Sequence, residues 1–172
     1  MVSSASSSNE MAFGFLTVCD AAGVGTFGGY LLVDLSGRPL EFHCTAPVRV
    51  TRAQEILYGA TLQRHLHGEQ IGGPLLKATK LTPVAVLTDH ESLLHARCHG
   101  QSPVAVVRQV ADPAPVGTGT FELGRFHVQP HDDDLPQADQ LQSQLTALAG
   151  SIELAEPFAR IRAAIDEAQA HS

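Results

Sequence analysis

Apolar and polar positions divide the chain into short runs of contrasting period. "MAFGFLTVCD", residues 11–20, is an apolar run that stops at an acid and predicts a buried strand. The Gly-rich "AAGVGTFGG" that follows predicts a turn or loop. In "YLLVDLSGRPLEFHCT" two strand-like runs flank "SGRP", and Leu40, Phe42 and Cys44 alternate with Glu41 and His43, the pattern of a hairpin. The opening third therefore predicts a three-stranded antiparallel meander.

The period then changes. "VRVTRAQEILYGATLQRHL" has helical spacing, with Thr51 as N-cap and Gly59 weakening the middle. "GEQIGGPLLKATKL" predicts a loop and a short second helix. "PVAVLT" and "PVAVVRQV" are continuous apolar runs, expected of central parallel strands, and "DHESLLHARCHG" between them predicts a helix capped by Asp89. After the Pro/Gly-rich "ADPAPVGTGT" come a further strand in "FELGRFHVQ", an acidic loop in "HDDDLP" and a helix in "QADQLQSQLTALAG". "EPFARIRAAIDEAQ" has Pro157 in a first turn and a stripe of Phe158, Ile161 and Ile165, so it predicts an amphipathic helix packed on the domain. The expected fold is mixed α/β: the meander, then alternating helices and parallel strands, then the C-terminal amphipathic helix. Residues 1–10 are expected to form a flexible tail, 11–150 the domain and 151–172 the packed helix.

Composition narrows the function classes. A chain of 172 residues can bury a core as one domain. The formal charge of −7, with only Lys77 and Lys80 as lysines, argues against broad salt-driven adhesion to nucleic acid or an anionic membrane. It leaves room for a local acidic site that meets nucleic acid through metal ions. No apolar run has membrane-spanning length, and the N-terminus lacks a basic region before an apolar stretch. Cys19, Cys44 and Cys98 are odd in number and widely spaced, so no disulfide framework is expected and the cytoplasm is the simpler compartment. No Walker loop or dinucleotide fingerprint is present.

Candidate chemistry rests on three acids. Asp20 ends the first strand, Glu55 lies on the first helix, and Asp89 ends the first buried strand after it. Carboxylate oxygens suit hard divalent cations, and two such ions can activate water in phosphodiester hydrolysis. Each acid also has a plainer reading: Asp20 as a turn starter, Asp89 as a cap, Glu55 as a solvated helix residue.

"TVCDAAGVGTFGGYLLVDLSGRPLEF" resembles the opening of type I ribonuclease H proteins, where an Asp ends the first strand ahead of a Gly-rich turn and a hairpin. "TRAQEILYGATL" is similar to that family's first helix, and "VAVLTDHESLL" to its "TDs" strand end. The resemblance implies a ribonuclease H-like fold and a two-metal endonuclease, or a diverged and inactive member. It implies Asp20, Glu55 and Asp89 as ligands of Mg²⁺ or Mn²⁺ and an RNA–DNA hybrid or structured nucleic acid as partner; hydropathy and charge separately predict no membrane. The family's late histidine and last acid would fall on His131 and Asp139, with Asp132, Asp133 and Asp134 competing for the acid's place. The family's helix asparagines are missing, Asp-Ala replaces its Asp-Gly, and no basic helix-loop is evident.

Two other readings stand beside this one. A non-catalytic module of the same fold would bind a protein partner with its sheet and C-terminal helix. His95, Cys98 and His99 share one face if helical and could bind zinc with Cys44 or His43, although the spacing matches no strong zinc signature.

Overall fold

The computed structural model describes residues 11–111 and 117–171. The strands are β1 (Phe13–Ala21), β2 (Gly25–Val33), β3 (Pro39–Cys44), β4 (Ala85–Thr88), β5 (Val104–Gln109), β6 (Phe121–Leu123) and β7 (Phe126–Pro130). They form one seven-stranded mixed sheet in the order β3-β2-β1-β4-β5-β7-β6. The expected meander pairs antiparallel, while β4 and β5 lie parallel to β1. "FELGRFHVQ" supplies two strands rather than one, because Gly124, at φ 58°, turns the chain between β6 and β7.

The helices depart more from expectation than the strands do. Thr51 caps α1 (Arg52–Tyr58) and completes a capping box with Gln54. Gly59 then ends regular winding, and the chain passes through a 3₁₀ turn at Gly59–Thr61 and a π-helical stretch at Arg64–Gly72 before α2 (Gly73–Ala78). The stretch Glu91–His99 is 3₁₀ rather than α, and its N-cap is His90, so Asp89 is not the cap. A 3₁₀ segment at Asp132–Gln137 precedes α3 (Ala138–Ala149), and the expected C-terminal helix is α4 (Glu156–Ala170). The tail at 1–10 and part of the Pro/Gly connection lie outside the described residues.

The sheet is a central layer with a core on each side. On one side Phe13, Phe15, Leu87 and Val128 pack against Leu141, Leu145, Phe158, Ile161 and Ile165 of α3 and α4. On the other, Leu16, Val18, Tyr30 and Val86 meet Ile71, Leu75 and Leu93 of the helical connections. Strand alternation explains the division, since successive side chains on β1 point to opposite faces. The amphipathic stripe predicted for α4 is buried, and Phe158 meets Phe15 edge-on with ring centroids 5.4 Å apart.

Two adjacent glycines of β2 set how closely the outer layers approach. A Cβ on Gly28 would lie 2.1 Å from Cγ2 of Ile71, and one on Gly29 would lie 2.2 Å from Cγ2 of Ile161. Gly29 thus seats α4 against β2, and Arg160 holds the same helix through the carbonyl of Gly37 at 2.8 Å. Gly29→Ala is expected to lower stability by about 1–3 kcal/mol through overpacking, read as a reduced urea midpoint with an unchanged slope.

Candidate functional site

The two acids expected at strand ends, Asp20 and Asp89, both lie at the C-terminal edge of the parallel strands, the usual place for sites in such sheets. The register separates them. Leu16 pairs with Thr88, so the residue of β1 opposite Asp89 is Thr17, and the hydroxyl of Thr17 donates to Asp89 Oδ1 at 2.7 Å. Asp20 is three residues further along β1, roughly 10 Å of extended chain. Alternation turns it toward the face of Leu16 and Val18.

Asp89 is saturated with donors. Its Oδ1 accepts from Thr17 and contacts His90 Nδ1 at 2.9 Å, while Oδ2 accepts from the guanidinium of Arg162 on α4. Arg162 Nη2 also reaches Thr17 Oγ1 at 3.0 Å. Burial alone would push the Asp89 carboxyl up, but His90, Thr17 and Arg162 hold it below the usual carboxylate range. Arg162 reaches this place because it follows Ile161, whose side chain packs into the sheet beside Gly29.

The surroundings of Asp20 are different. Its Oδ1 accepts from Thr26 Oγ1 at 2.5 Å across the β1–β2 pair. It shares an open groove of about 400 Å³ with Thr26, Arg49 and Glu55. Glu55 is exposed on α1 and ion-paired to Arg52 at 3.0 Å. His67, on the π-helical stretch, is buried, contacts Ser92 Oγ at 2.6 Å and stands edge-on to His90 at 6.1 Å. Burial, then the neighbouring His90, push its pKa down, against an opposing pull from Asp20.

His131 and Asp139 lie at the other end of the sheet. The backbone N–H of His131 donates to the carbonyl of Val104, where β5 begins. The first turns of α3 line a groove with Val84 and Pro103, ahead of β4 and β5. Val84 to Asp89 is roughly 16 Å of extended chain, so neither residue completes a site with Asp89. Of the competing acids, Asp132 and Asp133 are exposed, while Asp134 is 2% exposed and structural. Asp134 accepts from the Val104 N–H at 3.0 Å and pairs with Arg97. The late helix that does reach the strand ends is α4, which presents Arg162 there and Asp166 one turn on.

Among the described residues no group of three or more His, Cys, Asp or Glu side chains is arranged to hold a metal ion. The donor set at Asp89 does not fit a divalent ion: its neighbour on β1 is a hydroxyl, and its second oxygen already accepts from a guanidinium. The zinc reading meets the same obstacle. His95 accepts from Arg64 at 2.9 Å, Cys98 is exposed, and His99 lines a separate cavity beside Tyr30.

Asp20 and Asp89 stand at strand ends as the sequence predicts, whereas nothing in the sequence singled out their neighbours Thr17, His67 and Arg162. Thr17 and Asp89 are far apart in sequence, and only the register pairs them. Arg162 sits beside the α4 apolar stripe, where charged residues ordinarily face solvent.

No known protein-family profile matches the chain, and no curated protein matches it in sequence. Solved structures do resemble it. Human endonuclease V is 13% identical, with a TM-score of 0.51 over 94% of this chain and 87% of that one. A variant of Ciona intestinalis endonuclease V, crystallised with a 23mer DNA containing an inosine followed by a ribo-adenosine, is 12% identical. Its TM-score is 0.51 over 89% of this chain and 85% of that one. At these identities the likeness establishes the ribonuclease H-like fold.

Because Asp89 sits below its ordinary pKa, its contribution to stability is complete above the unfolded-state carboxylate value of about 4. That contribution is lost as pH falls through the lower folded value. Asp89→Asn is expected to cost about 1–3 kcal/mol at neutral pH by stranding its donors. It should also flatten the acid limb of stability, measured by thermal unfolding across pH.

Proposed function

We propose that this chain binds nucleic acid on a nuclease scaffold whose hydrolytic metal site has degenerated. The observation that carries this reading is the pairing of Asp89 with Thr17 and Arg162. Hydrolysis with two ions needs carboxylates from neighbouring elements that converge on the ions. Here the nearest strand neighbour of Asp89 is neutral, and the cation beside it belongs to the protein.

The edge that carries Asp89 also gathers positive and hydrogen-bonding groups in an otherwise acidic chain. Arg49 lines the Asp20 groove, Arg162 and His90 stand at Asp89, and His67 lies behind them. Guanidinium groups make directed contacts with phosphate, so Arg49 and Arg162 are the residues assigned to the backbone of a bound strand. An RNA–DNA hybrid or a structured nucleic acid is the ligand class. With a net charge of −7, affinity is modest and strongly salt-dependent. The hydrolytic form of this reading would have Asp20, Glu55, Asp89 and Asp139 hold Mg²⁺ or Mn²⁺, with His131 assisting. It requires groups from opposite ends of the sheet to meet.

A protein-binding module is the second reading, favoured by α1. That helix has no buried residue, and its Ile56 and Leu57 are 66% and 82% exposed. An apolar surface on a helix that contributes nothing to the core is unusual without a partner.

A labelled RNA–DNA hybrid, with single- and double-stranded controls, separates these readings in Mg²⁺, in Mn²⁺ and in EDTA. The expected result is binding in EDTA that weakens with salt, falls several-fold in Arg49→Ala, and is accompanied by no turnover. Turnover that disappears in Asp20→Asn and Asp89→Asn would overturn the degenerate reading. Absence of binding on every substrate would transfer the function to the α1 surface.

A further inference from the structure

Metal-dependent chemistry at a strand end begins with a carboxylate whose oxygens face an open coordination sphere. Asp89 departs from this at each point that the structure defines. Its Oδ1 is taken by Thr17 and His90, and its Oδ2 by Arg162. Arg162 is tied twice, to Asp89 and to Thr17 Oγ1. It is held from behind by the seating of Ile161 beside Gly29, and the same turn of α4 is anchored by Arg160, which donates to the carbonyl of Gly37. The guanidinium is therefore a placed cation and not a wandering surface charge. We infer that Arg162 stands in for the metal ion at Asp89: it neutralises the carboxylate permanently and excludes divalent cations from this site.

This inference rests on the degenerate-site reading but concerns ion binding, which can be measured without nucleic acid. Coulomb repulsion between a guanidinium and an incoming dication at one carboxylate opposes joint occupancy, because both charges would lie within a few ångströms of each other. Vacating the Arg162 position leaves Asp89 with a free oxygen and an uncompensated charge, the condition that favours a hard cation. The arginine's remaining N–H groups, Nε and Nη1, make no hydrogen bond with any described residue, and the side chain is 39% exposed. The same group can thus face a ligand while it holds Asp89.

Mn²⁺ alone is the probe, followed by loss of the free-ion electron paramagnetic resonance signal. Wild type is compared with Asp89→Asn, Arg162→Met, Arg162→Gln and the double variant Arg162→Met/Asp89→Asn, each checked for a native thermal melt. Wild type and Asp89→Asn should give the same Mn²⁺ isotherm, showing no Asp89-dependent site. Arg162→Met and Arg162→Gln should gain a site at least about tenfold tighter than any in wild type, and the double variant should lose it. The inference is overturned if wild type already binds Mn²⁺ in an Asp89-dependent way. It is equally overturned if folded Arg162 variants gain nothing. Should neither arginine variant fold, the comparison of wild type with Asp89→Asn still decides whether the native site excludes the ion. Nucleic-acid binding that failed in every protein, with Mn²⁺ behaviour as expected, would sink the functional reading and leave this one standing.

Discussion

The carboxylate of Asp89, held between Thr17, His90 and Arg162, is the interaction on which the strand-end edge depends. It joins β1, β4 and α4 at one point, and each partner arrives by a different constraint. Thr17 is fixed by the parallel register, His90 by its place in sequence, and Arg162 by the packing of the helix that carries it. A charge removed from bulk water is tolerated only when its lone pairs are met, and here they are met by the protein itself. Gly29 of β2 belongs to the same construction, since it lets α4 lie close enough for its arginine to reach Asp89.

The placement of Asp20 shows how little separates an acidic pair from two isolated acids. In a strand, three residues along is both a translation and a change of face. Asp20 therefore belongs with Thr26, Arg49 and Glu55 in an open groove, and Asp89 with Arg162 under α4. Arg49, bonded to the carbonyls of Gly23 and Val24, lies at the Asp20 groove, and Arg162 lies at Asp89. Each acid thus has a guanidinium beside it instead of a second carboxylate shared with the other.

Much of the fold was legible in the sequence because strands and their order are written in local pattern. The alternation around "SGRP" marked the hairpin, and the apolar runs "PVAVLT" and "PVAVVRQV" marked the parallel strands. Helix type was less legible: Gly59 and the close packing of Gly68 and Gly72 against His95 and Ala96 replace regular α-helix by 3₁₀ and π winding, a tertiary effect. The site was half legible. Asp89 could be found at a strand end, but its partners depend on register and on a helix more than seventy residues away in sequence. Asp139 and His131 had the expected order in sequence, yet the β6–β7 hairpin carries the chain back to the opposite end of the sheet before either is reached.

The most direct test is a crystal of the protein soaked in Mn²⁺, with anomalous scattering recorded at the manganese edge. The Arg162 guanidinium is expected to be seated on Asp89, with no anomalous peak within coordination distance of that carboxylate. A manganese ion bound by Asp89, with Arg162 displaced toward solvent, would contradict that expectation.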